Sequence, residues 1–171
     1  LIKRELTPMG QLTGQVLLDG VPVASLPEDV SAFSIGYVMQ RPDEQIVTDK
    51  VWHELAFGLE NMGLSQQEMA RRIAETAAYF GIESWYERPV SQLSGGQKQL
   101  LNLAAVMVMQ PKVLILDEPT AQLDPIAAAD FIATVHRLNR ELGLTVLGIE
   151  HRLEELLPLC DRMVVLEAGC L

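Results

Sequence analysis

The stretch Val113-Leu114-Ile115-Leu116-Asp117-Glu118-Pro119 decides how this chain is interpreted. An unbroken apolar run predicts a short strand that is buried on both faces, as in a parallel sheet. Ligands of open parallel sheets bind outside the carboxyl ends of the strands. Asp117 and Glu118 are therefore candidates for holding Mg²⁺ and for orienting and deprotonating a water molecule. The alternative is a solvated acidic strand end.

Helical patterns and apolar strands alternate on both sides of this stretch. Gly96 to Met109 has helical spacing, and Asp124-Pro125 predicts the N-cap and first position of a helix that ends at Gly143. The other predicted elements are the end of a helix at Leu1–Leu6, strands at Gln15–Leu18, Phe33–Gln40, Thr145–Ile149 and Met163–Leu166, and a short helix at Arg152–Leu157. The alternation indicates an α/β fold with a parallel sheet.

The segment from about residue 48 to residue 90 differs, because its pattern is helical throughout. Apolar residues recur at helical spacing from Val51 to Met62. Ser65-Gln66-Gln67-Glu68 resembles a capping box that opens a helix to about Phe80, and Gly81 follows as its stop. We expect a helical subdomain that is inserted into the α/β fold.

Further polar residues lie where a ligand of the sheet would bind. Gln40 ends the run FSIGYVMQ and His151 follows TVLGIE, so we expect both at the sheet edge that carries Asp117. Each is weak evidence alone, since a lone His is more often a polar loop residue. Ser94-Gly95-Gly96-Gln97 opens a helix whose free N–H groups favour a phosphate, the alternative being an ordinary serine N-cap.

Composition limits the classes of function. The chain has 171 residues, of which 49% are hydrophobic and 21% charged, as in globular proteins. Its net charge of -10 disfavours nucleic acid and anionic lipid as partners. Two cysteines outside any CxxC pair favour a reducing compartment. Neither a signal-peptide pattern nor an apolar run near the ~20 residues of a membrane span is present, so we expect a soluble chain.

Taken in order, these motifs resemble those of the ATP-binding cassette (ABC) ATPases. Gln40 matches the Q-loop glutamine, and Leu93–Gln97 (LSGGQ) matches the signature motif in full. Val113–Glu118 matches Walker B with the catalytic glutamate, and His151 matches the switch histidine. Ala121–Asp124 (AQLD) matches the D-loop, with Ala and Gln at the first two positions of the usual SALD. Five motifs in this order are far more specific than any one of them.

The resemblance implies a P-loop NTPase-like fold with a mostly parallel sheet, an inserted helical subdomain and a small antiparallel β part. Residues 1–171 would be a partial ABC ATPase domain, with a helical signature subdomain at about 48–100 and a catalytic α/β core at about 1–47 and 101–171. Cassettes of this family pair head to tail. The implied partners are therefore a second ATPase subunit, identical or related, and a transmembrane subunit at the cytoplasmic face of the membrane.

The resemblance also implies roles for residues at the chain's own ATP site. Asp117 would bind Mg²⁺ directly or through water, and Glu118 would polarise the attacking water. Gln40 would sense Mg²⁺ and that water, and His151 would stabilise the γ-phosphate.

Other residues would serve the ATP that is bound by the partner cassette. Ser94, Gly95 and Gly96 would contact its γ-phosphate, with Gln97 completing the motif. Asp124 would cross the dimer interface.

Softer matches suggest a subfamily. Arg41–Val47, Val51–Gly58 and Ile149–Glu155 are similar to cassettes of energy-coupling factor (ECF) importers, which take up vitamins and transition-metal ions such as cobalt. The family's phosphate loop, Walker A (GxxxxGK[ST]), is absent from the sequence. We expect that the chain begins just after this motif, and that these 171 residues alone bind ATP weakly and hydrolyse little.

Three hypotheses about function remain at this point. The first is the ATPase subunit of an importer. The second is a non-catalytic fragment or degenerate cassette that supplies only its signature surface to a partner's ATP. The third, an ABC-type ATPase of DNA repair or translation, is disfavoured by the net charge of -10 and by the lack of a basic run.

Overall fold

A computed structural model describes residues 13–151, 154 and 156–166. The helices are α1 (Glu28–Ser34), α2 (Pro42–Gln45), α3 (Val51–Asn61), α4 (Gln66–Phe80), α5 (Gly95–Met107) and α6 (Pro125–Leu142). The strands are β1 (Leu17–Leu18), β2 (Val21–Pro22), β3 (Ile35–Val38), β4 (Val113–Asp117) and β5 (Thr145–Ile149). Short 3-10 turns lie at Val23–Ser25, Glu83–Trp85, Val90–Gln92 and Leu157–Leu159.

The main described sheet has β4 in its centre, with β3 and β5 parallel to it on either side. The side chains of Leu114, Ile115 and Leu116 in β4 are buried, which agrees with the prediction from their unbroken apolar run. β1 and β2 form a separate antiparallel hairpin around Asp19-Gly20. The predicted α/β architecture, with a parallel sheet and a small antiparallel part, is confirmed.

Helix starts and ends agree closely with the capping signals. Ser65 Oγ accepts from the backbone N–H of Glu68 at the start of α4, and Gly81 ends that helix at φ +67°. Only half of the predicted capping box forms, because the Glu68 carboxylate binds Arg71 and Arg72 instead of the Ser65 backbone. These guanidinium groups lower the pKa of Glu68 to about 2.

Two apolar clusters form the core, and α5 belongs to both. Leu101, Ala104 and Val108 pack with α3 and α4 in the cluster of the helical segment. Leu103 and Val106 face the sheet and α6 in the second cluster. Helix α5 therefore packs against the helical segment with one face and against the sheet with the opposite face.

Three predicted strands are wrong in whole or in part. Of the predicted Gln15–Leu18, only Leu17–Leu18 is strand. Phe33 and Ser34 belong to α1, which starts after Pro27 with Glu28 and Asp29 in its first turn, so only Ile35–Val38 of the predicted Phe33–Gln40 is strand. Acidic residues near the start of a helix stabilise that helix through their interaction with its dipole. Here this stabilisation outweighs the β propensity of Phe33. Met163–Leu166 is exposed and pairs with no described strand.

The predicted helix end at Leu1–Leu6 lies outside the described residues. Of the predicted helix at Arg152–Leu157, only part is described, and there a 3-10 turn begins at Leu157. No helix in the described part of the chain is both long and apolar enough to cross a bilayer.

Candidate functional site

The carboxyl ends of β3, β4 and β5 meet at one edge of the sheet. Val38 lies opposite Leu116, and Asp117 lies opposite Ile149. Residues just beyond these strand ends are therefore neighbours in space although they are far apart in sequence. We call Gln40, Asp117, Glu118 and His151 the strand-end site.

Glu118 is the centre of this site. Gln40 Nε2 donates to Glu118 Oε2 at 2.9 Å, and His151 Nε2 lies 2.9 Å from Glu118 Oε1. Both carboxylate oxygens are thus engaged by side chains from the two neighbouring strand ends. The His151 side chain is 80% exposed, whereas that of Glu118 is 26% exposed. The site is open to solvent on the His151 side.

The backbone at Glu118 adopts a left-handed conformation with φ +44°, which is uncommon for a residue other than Gly. Two hydrogen bonds hold it: the Glu118 N–H donates to Ile149 O at 2.9 Å, and the Ala121 N–H donates to Glu118 O at 3.1 Å. The turn separates the directions of Asp117 and Glu118. Backbone strain held in this way is typical of functional sites.

Asp117 has a partner that sequence reasoning missed. Tyr37 Oη donates to Asp117 Oδ2 at 2.6 Å. Tyr37 lies opposite Ile115 in the β3–β4 ladder, so it shares a face with the residue two positions further along β4, Asp117. Burial, together with the hydrogen bond to Asp117, raises the pKa of Tyr37 to about 12. The period of two along both strands is the sequence signal that could have found this pair.

Glu150, next to His151 in the sequence, is a second residue that sequence reasoning missed. Its Oε1 accepts from Thr120 Oγ1 at 2.7 Å and from the Thr120 N–H at 3.0 Å. Thr120 is only 1% exposed. This contact joins the loop after β4, which follows Glu118, to the end of β5, just before His151.

Ser94–Gln97, which we call the signature turn, lies at the start of α5. Ser94 Oγ accepts from the Gln97 N–H at 3.3 Å, and Gln97 Oε1 accepts from the Ser94 N–H at 2.9 Å. This reciprocal pair is a complete capping box. The Gln97 side chain is therefore engaged with its own helix start.

The two glycines of the signature turn differ in their surroundings. A Cβ added to Gly95 would meet nothing within 4 Å, whereas one added to Gly96 would lie 3.1 Å from Ala127 Cβ. Gly95 thus faces open space and Gly96 allows α5 to approach α6. None of the described hydrogen bonds joins Ser94–Gln97 directly to the strand-end site.

Asp124 lies at the start of α6. Its Oδ1 accepts from the N–H groups of Ile126 and Ala127, at 3.0 Å each. The residue therefore acts as the N-cap that its position before Pro125 predicted. Because Ala127 also faces Gly96, Asp124 and the signature turn lie on the same side of the molecule.

The donor chemistry of the strand-end site suits Mg²⁺. Asp117 offers carboxylate oxygen and Gln40 an amide, and Mg²⁺ needs only one or two carboxylates because it keeps waters and binds phosphate oxygens. Within the described residues no group of three or more His, Cys, Asp or Glu side chains could hold a metal. The site fits a metal that arrives with a phosphate ligand better than a metal bound by protein groups alone.

Comparison with known proteins identifies the family. Residues 1–121 match the sequence profile of the family described as ABC transporter. The chain belongs to the ABC transporter family. The resemblance to ABC ATPases and the P-loop NTPase-like fold are thereby confirmed.

Relatives within this ABC transporter family are close in sequence. The chain is 50% identical over 168 residues to a putative ABC transporter ATP-binding protein of Bacillus cereus. The aligned region covers 98% of this chain and 30% of the relative. The chain is also 44% identical over 160 residues to the energy-coupling factor transporter ATP-binding protein EcfA1 of Symbiobacterium thermophilum, covering 91% of this chain and 54% of that protein. The chain thus spans about a third to a half of these curated relatives.

A solved structure agrees. CbiO1 from Clostridium perfringens, described as part of the ABC transporter complex cbiONQ, matches with a TM-score of 0.78 and 35% identity. The match covers 87% of this chain and 60% of that one. This ABC transporter family member therefore shares the fold of cbiO1.

Proposed function

We propose that this chain is part of an ATP-binding and ATP-hydrolysing subunit that energises an ECF-type importer for a vitamin or a metal ion. The main observation behind this proposal is that the side chains of Gln40 and His151 both contact the Glu118 carboxylate. These contacts lie at the carboxyl edge of the parallel sheet. The similarity to EcfA1 and to cbiO1 supports the ECF type.

Hydrolysis of ATP requires a base near the attacking water, and Glu118 is our candidate. Bound MgATP supplies the phosphoryl group and neutralises its charge. In the structure each Glu118 oxygen has one side-chain contact, and the second lone pair of a carboxylate oxygen can accept a proton from water. We propose that His151 is the partner that leaves, because its side chain is 80% exposed, and that it then donates to the γ-phosphate. Gln40 keeps Glu118 oriented, and Asp117 holds Mg²⁺.

A second cassette completes the proposed site. Ser94, Gly95 and Gly96 would contact the γ-phosphate of ATP held by that subunit, while Asp124 would lie at the shared interface. Two observations support this arrangement: Gly95 faces open space, and Gly96 brings α5 against the start of α6. We propose that Gln97 acts through the capping box that shapes the turn. The partner is an identical or related ATPase subunit.

The helical segment, about residues 48–100, is proposed to dock a transmembrane subunit at the cytoplasmic face of the membrane. The remaining residues, about 1–47 and 101–171, would form the catalytic core. Phe57 within the helical segment is 44% exposed, and Val47 just before it is 62% exposed. A groove lined by Asp43, Lys50 and Pro89 also lies on this part of the chain. Phe57 is the exposed apolar side chain that we propose for this contact. We propose no nucleic-acid partner.

The first experiment tests the catalytic role in the intact protein. Glu118→Gln keeps the size of the side chain but removes the base, so we expect ATP binding to persist while turnover falls by about 10² to 10⁴. Glu60→Gln, an exposed change on α3, is the matched control. Turnover in Glu118→Gln equal to that of Glu60→Gln would contradict the base role.

The second experiment tests the importer assignment. We expect uptake of one vitamin or transition-metal ion in cells that carry the intact protein with its membrane subunits, and none with Glu118→Gln. Phe57→Glu should also reduce copurification of the transmembrane subunit. Leu142→Glu, which alters an exposed apolar residue at the end of α6, should not.

A noncatalytic role, in which only the signature turn serves a partner's ATP, explains less of the structure. It would leave the contacts of Glu118 with Gln40 and His151, and the strained backbone beneath them, without a function.

A further inference from the structure

Two buried amides on α5 hold the loop that carries Gln40. Gln99 and Asn102 are both 0% exposed, and a spacing of three places them on one face of the helix. Gln99 Nε2 donates to Met39 O at 3.1 Å, and Asn102 Nδ2 donates to Pro42 O at 3.2 Å. These carbonyls lie on either side of Gln40 in the chain.

The two amides are only half satisfied. Gln99 Oε1 and Asn102 Oδ1 are buried, and neither has a hydrogen-bond partner among the described residues. A buried amide oxygen without a partner costs free energy, which an apolar side chain of the same size would not. Core packing alone therefore does not explain why these two positions carry amides. The hydrogen bonds that the amides donate to two backbone carbonyls do explain it.

The same loop is held from its other side. Gln45 Oε1 accepts from the Met39 N–H at 2.8 Å, and Gln45 Nε2 donates to Tyr37 O at 3.0 Å. Lys98 Nζ pairs with Asp43 Oδ1 at 2.6 Å. The backbone around Gln40 is thus fixed between α2 and α5, and only the Gln40 side chain extends to Glu118.

The helix that provides these amides begins at the signature turn. Ser94 is its N-cap, and Gln99 and Asn102 lie within its first turns. An α-helix moves as a rod over this length, so a displacement of its start moves the carbonyls that Gln99 and Asn102 hold. Helix α5 also packs closely on β3, since a Cβ at Gly36 would collide with Val106 of α5.

We propose that Gln99 and Asn102 are positioning residues that set the Gln40 loop, so that the position of the signature turn controls the contact between Gln40 and Glu118. Through this connection, a cassette whose signature turn meets its partner's ATP adjusts its own Glu118. The inference rests on the proposed ATPase function, which it deepens by naming the residues that connect the two sites.

The test is a double-mutant cycle in the intact protein. Gln99→Met keeps the length of the side chain and removes the donor, and Leu101→Met on the same helix is the control for packing. We expect Gln99→Met to lower kcat about tenfold with KM for ATP unchanged, but to have less than about a twofold effect once Gln40→Ala is present. Equal effects of Gln99→Met in both backgrounds would overturn the proposal, because a purely structural residue acts independently of Gln40.

Hydrogen exchange without nucleotide separates this inference from the proposed function. We expect amide exchange over residues 39–46 to become about tenfold faster in Gln99→Met and in Asn102→Leu, and to stay unchanged in Leu101→Met. Unchanged exchange in both amide variants would overturn the anchoring of the loop. Absence of ATP hydrolysis in the intact wild-type protein would instead refute the proposed function, while the exchange result would still decide whether these amides hold the loop.

Discussion

The strand-end site and the signature turn are built in opposite ways. Gln40 reaches Glu118 across 78 positions of sequence, and His151 reaches it across 33. Ser94 and Gln97, by contrast, cap each other across three positions. The first arrangement depends on the register of three parallel strands, whereas the second needs only one helix start.

Because of this difference, the two motifs lose their geometry for different reasons. A local motif such as the signature turn keeps its shape as long as its own helix forms. The strand-end site loses its geometry if β3 or β5 shifts relative to β4, even when every one of its side chains is present. Substitutions can therefore test the two regions independently.

The largest expected effect is on turnover at the strand-end site. His151→Ala removes a partner of Glu118 and the proposed donor to phosphate, so we expect kcat of the intact protein to fall about a hundredfold. The side chain is 80% exposed, so stability should change by no more than about 0.5 kcal/mol. Wild-type turnover by this variant would remove His151 from the mechanism.

The next effect concerns the packing that sets the register of β3. A Cβ at Gly36 would collide with Val106, a stiff β-branched residue of α5. We expect Gly36→Ala to lower the free energy of unfolding by about 1–3 kcal/mol in denaturant titrations. Gly148→Ala in β5 meets nothing within 4 Å and should be close to neutral. Similar losses in both variants would show that the close approach of β3 to α5 is unimportant.

The signature turn should respond in stability and in turnover separately. Ser94→Ala removes the cap and should cost about 1 kcal/mol, whereas Ser91→Ala, at an exposed position nearby, should cost little. Ser94→Asp keeps a capping oxygen but adds a negative charge where phosphate is expected. We therefore expect Ser94→Asp to fold as stably as wild type and to lose turnover. Full turnover in Ser94→Asp would argue against contact with phosphate.

A smaller effect distinguishes the two glycines. Gly95→Ala adds a methyl group in open space and should stabilise α5 by about 0.5 kcal/mol. Gly96→Ala places its methyl group 3.1 Å from Ala127 Cβ, so part or all of this gain should be lost. Thermal unfolding without nucleotide measures the difference. An equal gain in both variants would mean that α5 and α6 separate easily.

The last expected effect is a pH dependence that arises at Tyr37. Its pKa of about 12 in the folded chain exceeds the ordinary value of 10.0. The corresponding contribution to stability is fully present below pH 10.0 and is lost as the pH rises towards about 12. An alkaline titration of tyrosinate absorbance, without divalent cations, should lose its late-ionising step at Tyr37 in Tyr37→Phe. A late-ionising step that persists in Tyr37→Phe would belong to another tyrosine and would contradict the raised pKa of Tyr37.

Sequence alone was most reliable where the signal was local. The caps of α4 and α6, the glycines that end them and the buried strand β4 all follow from residues within a few positions of one another. It was least reliable at Phe33–Ser34 and Met163–Leu166. There the β propensity was misleading. Phe33 and Ser34 complete a helix that starts at Glu28, and Met163–Leu166 pairs with no strand in the described part of the chain.

What the sequence by itself determined is the family, the motif residues and the edge of the sheet at which they gather. Only the tertiary structure decided their partners: Tyr37 on Asp117, Thr120 on Glu150, and Gln99 on the backbone at Met39. The physical reason is distance along the chain. A cap or a buried strand is selected by adjacent residues, but a hydrogen bond across the sheet exists only once register and packing have brought both groups together.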